Sequence, residues 1–200
     1  MKIGIVGGTF NPIHVGHLML GEYAYEELHL DEIWYMPNGN PPHKSIDNHV
    51  ITNETRVKLT QLAICDTPYF QYSSFEIEQD AVSYAYQSLE CLKVKYPEHE
   101  YYFILGSDSL FEIETWKYPN RFMSSCHILV ACRENMDLSL LETQIIYLKE
   151  KYQCNITLLP MPLLEISSSD IRSRVKSGKS IKYIVPEAVE KYIYSHKLYK

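Results

Sequence analysis

What the chain has little of narrows its function first. It has no basic excess: 19 Lys and Arg stand against 25 Asp and Glu, a net charge of -6. The broad cationic stripe that a nucleic-acid surface needs is therefore not expected. It has no cysteines at metal or redox spacing. Cys65, Cys91, Cys126, Cys132 and Cys154 are odd in number, scattered and without a CxxC, which fits reduced thiols in a cytosolic protein rather than a disulfide framework or a zinc site. No apolar run approaches a membrane span, and Met1-Lys2 leads straight into an apolar stretch with no signal-peptide character. The expectation is a cytoplasmic protein with no membrane and no nucleic-acid partner. Nor is there an internal repeat, a low-complexity tract or a dividing linker, so residues 1–200 read as one domain. Its oligomeric state stays open, a homo-oligomer included.

What is present begins with a 46% hydrophobic content, enough for a sizeable core in 200 residues. The 17 tyrosines suit half-buried sheet and helix faces. Ile3-Gly4-Ile5-Val6 reads as a buried strand, His17 to Leu30 as an amphipathic helix, and Glu32 to Met36 as a second strand stopped by Pro37. Strand–helix–strand is the unit of a parallel sheet. The predicted order continues with a polar, Pro-rich loop over residues 37–50, a helix capped by Thr52 or Asn53 and running to about Cys65, and an extended Pro68 to Ile77. A helix from Ser83 to Pro97 follows, with Leu89, Leu92 and Val94 inward, then a strand from Glu100 to Leu105 that breaks into a turn at Gly106-Ser107-Asp108-Ser109. A strand at His127 to Ala131, a helix at Leu138 to Tyr152 and a strand at Asn155 to Leu159 come next. A helix opens near Ile166, and a last one with Pro186 at its first position runs to about His196.

Two stretches carry chemistry. In Gly7-Gly8-Thr9-Phe10-Asn11-Pro12-Ile13-His14-Val15-Gly16-His17, a strand runs through a Gly-Gly turn to a helix N-terminus. Glycines let backbone N–H groups approach a ligand, and a helix N-terminus offers unpaired N–H groups to a phosphate. His14 and His17, three residues apart, project to one side of a helical first turn. A metal site lacks a third ligand at suitable spacing, whereas phosphate needs only hydrogen-bond donors; a plain capping or core role for either His is also open. In Ile166-Ser167-Ser168-Ser169-Asp170-Ile171-Arg172, the serines suit an N-cap and Asp170 a first turn. Arg172 opposes the helix dipole there. Either it is a solvated arginine on an ordinary capped helix, or it converges with serine hydroxyls and free N–H groups on an anion.

Together, and in this order, these two stretches resemble the T/HxGH and ISSTxxR signatures of the HxGH nucleotidyltransferase superfamily. Within it the chain resembles the bacterial nicotinate-nucleotide adenylyltransferases almost end to end. Asp31 to Asn38 with Pro41-Pro42-His43-Lys44, Ser83-Tyr84-Ala85-Tyr86, Phe103 to Ser109 with Trp116, Arg133, and the ending from Val185 to Ala188 with Leu198-Tyr199 all match. The resemblance implies an α/β, Rossmann-like doubly wound parallel sheet (the nucleotidyltransferase fold) with helices on both faces and a small C-terminal helical part. It implies transfer of AMP from ATP to nicotinate mononucleotide, with Mg²⁺ bound through the ATP phosphates and no metal site of the protein's own. It places His14 and His17 at the catalytic centre. Gly7, Gly8, Thr9, Phe10, Gly106, Asp108, Ser168, Ser169 and Arg172 would join them around ATP. Asn11, Lys44, Tyr84, Ala85, Tyr86, Trp116 and Arg133 would hold the acceptor, with Trp116 stacked on the pyridine ring, although a purely core tryptophan is the alternative.

The chain departs from the family at three places. Asn11 stands where Asp is usual, Ala85 and Gln87 replace the Thr and Asp of an SYTxDT run, and Ser169 replaces Thr. Other readings are the same chemistry on nicotinamide mononucleotide or phosphopantetheine, and a nucleotide-binding sensor without catalysis. A tRNA synthetase fragment is disfavoured by the acidic charge and the absence of a KMSKS-like segment.

Overall fold

The computed structural model describes residues 1–39, 51–79, 84–132, 137–162 and 166–200. The strands are β1 (Lys2–Gly8), β2 (Glu32–Pro37), β3 (Phe70–Tyr72), β4 (Glu100–Gly106), β5 (His127–Ala131) and β6 (Ile156–Leu159). The helices are α1 (Val15–Leu28), α2 (Asn53–Ile64), α3 (Ala85–Lys95), α4 (Ser107–Glu112), α5 (Pro119–Met123), α6 (Leu138–Tyr152), α7 (Ser168–Lys176) and α8 (Glu187–Ser195). The described strands form one parallel sheet in the order β3-β2-β1-β4-β5-β6. The chain works outward from β1 to β3, then returns to β1's other side with β4. Ile5 pairs with Phe103 and Val6 with Ile104. This reversal leaves a crevice beyond the C-terminal ends of β1 and β4, where open parallel sheets bind ligands.

Side chains alternate across a strand, and the core divides accordingly. Tyr101, Phe103 and Leu105 of β4 pack with Ile5, Ile128 and Val130 against Leu89 and Leu92 of α3, Phe122 of α5, and Leu141 and Leu148 of α6. Tyr102 and Ile104 face the other way. They pack with Val6, Ile33, Tyr35 and Leu129 against Ala24 of α1, Leu59 of α2, Ile171 and Val175 of α7, and Val189 and Ile193 of α8. Helices thus cover both faces, which is why these strands read as near-continuous apolar runs. The C-terminal helices belong to the second of these cores.

Four expectations change. Only Phe70–Tyr72 of the extended stretch is strand, because Ser74 to Gln79 closes into a turn through Glu78 N–H to Ser74 O (3.0 Å) and Gln79 N–H to Glu76 O (3.3 Å). Val94 is 84% exposed, since α3 buries the face of Tyr86, Ser88, Leu89 and Leu92. The turn expected at Gly106 to Ser109 is the start of α4, with Gly106 as its N-cap. Pro186 is the N-cap of α8 rather than its first residue.

Candidate active site

Where β1 ends, Phe10 turns the chain at a positive φ of 48° and tucks its ring, 1% exposed, beneath the loop. A Cβ on Gly8 would stand 2.9 Å from that ring. The glycine is therefore required by this packing as well as leaving the backbone open above it. Asn11, 4% exposed, accepts a hydrogen bond at Oδ1 from the Tyr199 hydroxyl (3.0 Å). Its carbonyl accepts from Arg172 Nη1 (3.0 Å), and the Pro12 carbonyl from Ser168 Oγ (2.8 Å). Helix α7 and the chain end thus fasten the loop after β1 from below. Burial raises the Tyr199 hydroxyl's pKa well above the ordinary phenol value, so it serves this contact as a neutral donor.

His14 is the N-cap of α1, and its ring stacks on His17 at a centroid distance of 3.7 Å. Gly16 makes that possible: a Cβ there would lie 3.1 Å from His14 Nδ1. The His14 backbone N–H donates to His17 Nδ1 at 3.2 Å. A ring nitrogen that accepts does not carry the proton, so neutral His17 has its hydrogen on Nε2. It can donate to an anion without first being protonated. Phe10 meets the His17 ring edge-on at 5.0 Å and limits its rotation.

These residues open onto a cleft of about 400 Å³ at the β1/β4 switch point. Gly7, Gly8, Thr9, His14, Gly16, His17, Ser167 and Ser168 give its wall imidazole, hydroxyl and backbone groups. Asn38, Glu76, Ala85, Phe103 and Trp116 line it as well, as do Gly106, Ser109, Ala131, Cys132 and Met161. Trp116 lines the cleft and also packs edge-on against Phe122 (5.0 Å) and Phe103 (6.4 Å).

Other expected site residues lie outside the wall. Phe10 and Asn11 are buried beneath it, so Asn11 is a scaffold position whose amide holds Tyr199. Asp108 is exposed, and Ser109, one residue on in α4, takes the lining position. Ser169 is exposed, while Ser168 lines the cleft. Arg172 sits behind the loop on the Asn11 carbonyl, which answers its unfavourable place on the helix dipole without a bound anion. Tyr84 is the N-cap of α3 and Ala85 its first residue in the cleft, whereas Tyr86 is 5% exposed and turned to Tyr118 and Arg121. Lys44 and Arg133 lie outside the described residues, as do Pro41-Pro42-His43 and Ser83.

Sequence reasoning missed Glu76 and Arg56. Glu76 is a 5% exposed carboxyl on the cleft wall, its pKa raised by burial against the opposing pull of Ser88, Gly39 and Arg56. Arg56 is 1% exposed and donates to backbone carbonyls behind the wall. Nothing in their local sequence separates them from an ordinary helical arginine and a turn glutamate. A second depression of about 400 Å³ lies beside β3, lined by Glu32, Trp34, Tyr72, Phe75 and Tyr96.

Comparison with known proteins agrees with this geometry. Residues 5–174 match the family model described as cytidylyltransferase-like. A Lachnoclostridium phytofermentans protein named "Probable nicotinate-nucleotide adenylyltransferase" is 44% identical over 99% of this chain and 98% of its own. One of the same name from Moorella thermoacetica is 42% identical over 100% and 92%. The chain belongs to the nicotinate-nucleotide adenylyltransferases of the cytidylyltransferase-like family. It is thus a nucleotidyltransferase of NAD biosynthesis. Its fold is that of the Plasmodium falciparum nicotinic acid mononucleotide adenylyltransferase complexed with NaAD, with a TM-score of 0.82 at 21% identity over 99% of this chain and 97% of that one. The same Plasmodium enzyme complexed with APC superposes at a TM-score of 0.79, with 20% identity over 99% and 96%. Among the described residues, this family member has no cluster of three or more His, Cys, Asp or Glu placed to hold a metal ion. Nor is any of their helices long and apolar enough to cross a membrane.

Proposed function

We propose that the protein transfers AMP from ATP to nicotinate mononucleotide, giving deamido-NAD and pyrophosphate. The observation that carries this reading is one cleft whose lining holds donors for phosphate together with an aromatic ring and the first residue of a helix. The acceptor's 5′-phosphate oxygen attacks the α-phosphorus in line. A new P–O bond forms as the bond to the β-phosphate oxygen breaks, and pyrophosphate departs with that electron pair. No protein nucleophile is needed, so catalysis is positioning and charge stabilisation. His17 Nε2–H donates to the phosphate oxygens nearest the reacting centre, with His14 beside it. Backbone N–H groups of Gly8 and Thr9 face the junction of the two substrates, and the Ser168 backbone N–H at the start of α7 holds the phosphate tail.

Gly106 and Ser109 border the adenosine. In this reading Arg172 acts on ATP through the Asn11 loop it fastens, and Asp108 and Ser169 keep the ATP roles that the family resemblance implies. Trp116 stacks on the pyridine ring, and the N-terminal amides of α3 at Ala85 and Tyr86 receive its carboxylate, which an amide could not match in charge. Lys44 and Arg133 retain the acceptor roles that the family resemblance implies. Glu76 is the one carboxylate among the lining residues, and its oxygens are engaged by Ser88 and Gly39. Mg²⁺ therefore fits as an ion carried on the ATP phosphates, where it would neutralise their charge. Soluble nucleotide substrates and scattered cysteines without a CxxC suit the cytoplasm.

Purified protein with Mg²⁺ and ATP should form a dinucleotide and pyrophosphate with nicotinate mononucleotide and turn over the nicotinamide form at least tenfold less efficiently. A preference for the amide would overturn the substrate assignment, and no pyrophosphate with either would favour a sensor.

A further inference from the structure

Arg56 of α2 and Glu76 after β3 are buried ionisable groups in a region otherwise built from loops. Arg56 donates from Nη1 to the Thr9 carbonyl (2.8 Å) and from Nη2 to the Asn38 carbonyl (2.6 Å), with the Gly39 carbonyl at 3.4 Å and Asn53 Oδ1 completing the fork. Glu76 accepts from Ser88 Oγ at 2.8 Å and from the Gly39 backbone N–H, and it feels the Arg56 charge. Gly39 is therefore held at its carbonyl by one group and at its N–H by the other. Thr9 belongs to the loop after β1, Asn38 and Gly39 to the loop after β2, and Ser88 to the helix that presents Ala85. Thr9, Asn38, Glu76 and Ala85 all line the cleft.

We infer that Arg56 and Glu76 are positioning residues: as a buried clasp they set the spacing between the phosphate end and the acceptor end of the cleft. The inference rests on the adenylyltransferase reading. A buried arginine is weak as a stability device, since apolar replacements of buried ions are often neutral or better. Its planar fork, however, fixes direction as well as distance. Here that fork joins two loops just past their last backbone link, the Asn38 N–H to the Gly8 carbonyl (2.9 Å). A lysine ammonium keeps the charge and loses the two-pronged geometry. Misplacing reacting groups by about 1 Å costs roughly 10² in rate, so a loosened clasp acts on turnover before it acts on folding.

The test uses full-length R56K and E76Q, with kinetics for both substrates, thermal melts, and residue-resolved amide exchange. R56K should lower kcat by at least tenfold while leaving ATP binding measured without acceptor within threefold of wild type. E76Q should raise the acceptor KM at least fivefold with the ATP KM unchanged, because the amide removes the negative charge that faces Arg56 and leaves one acceptor oxygen where the carboxylate has two. In E76Q the Gly39 amide should exchange at least tenfold faster while amides of β4 keep their protection. Folded variants with wild-type kinetics and an unchanged Gly39 amide overturn the clasp. So does a rise in both KM values in proportion to lost stability. If R56K fails to fold, the E76Q results decide. An inactive wild type overturns the adenylyltransferase reading instead, and the Gly39 exchange rate still decides whether Glu76 grips that loop.

Discussion

Replacing His17 separates two jobs that the structure gives to one ring. Its Nδ1 accepts from the His14 backbone N–H at 3.2 Å, a helix-capping contact. Its Nε2 then carries the hydrogen that the mechanism needs. Losing the cap costs about 0.5–2 kcal/mol of stability, a few degrees in Tm for a chain of this size. Losing one preorganised donor at the transition state costs about 10²–10³ in kcat, or about 2.7–4 kcal/mol. His17→Ala removes both. His17→Asn places an acceptor near Nδ1 and nothing near Nε2, whereas His17→Gln can close the cap with its amide oxygen and reaches farther toward the outer position. The expected pattern is graded: Asn keeps the wild-type melt and loses turnover by the full factor, Gln keeps the melt and retains more activity than Asn, and Ala loses both. Thermal melts and steady-state pyrophosphate release measure both quantities on the same preparations. Wild-type turnover in His17→Ala, or activity tracking stability across all three variants, would refute the division of labour.

Trp116→Ala should raise the acceptor KM about tenfold and leave the ATP KM within twofold. It should also lower stability through its lost ring contacts, each worth about 0.5–1.5 kcal/mol; lost stability with an unchanged acceptor KM would make it a core residue only. Tyr35 is fully buried and its hydroxyl reaches the His17 and Leu18 carbonyls at 3.3 Å each. Tyr35→Phe should therefore destabilise by about 1 kcal/mol, and an unchanged denaturant midpoint would show that those contacts contribute nothing. His127 has its pKa lowered below the usual imidazole value, first by burial and then by Lys149, while its Nε2 meets Thr157 Oγ1 at 2.8 Å. A base depressed in the fold contributes stability above its unfolded pKa, near 6.5, and loses it as pH falls below that point. Between pH 7.5 and 5.5 the Tm of wild type should therefore drop further than that of His127→Gln, and parallel curves would contradict the burial argument.

Strands such as Ile3 to Val6 and His127 to Ala131 were legible because a sheet covered on both faces needs unbroken apolar runs. The helix from Leu138 to Tyr152 was legible because its apolar period matches one buried face. Gly7 to His17 was legible as a strand–turn–helix entrance for the same local reasons. What was not legible depends on contacts distant in sequence. Arg56 lies 47 residues from Thr9, and Tyr199 lies 188 residues from Asn11. No local pattern announces that either side chain reaches under the same loop. Arg172 illustrates the limit in the other direction. Its conflict with the helix dipole was visible, but the partner that answers it, the Asn11 carbonyl, is supplied by topology. Val94 failed for a simpler reason: an apolar residue in a helix is not thereby on the buried face.

The proposed reaction needs both of its halves in one cleft at the β1/β4 switch point. A crystal structure of the protein with deamido-NAD tests this most directly. The dinucleotide's pyrophosphate should lie beside Thr9 and His17, its adenosine toward Gly106 and Ser109, and its pyridine ring against Trp116 with the carboxylate at the Ala85 turn. A product bound in the depression beside Trp34, or lying in the cleft with its pyridine ring away from Trp116, would contradict it.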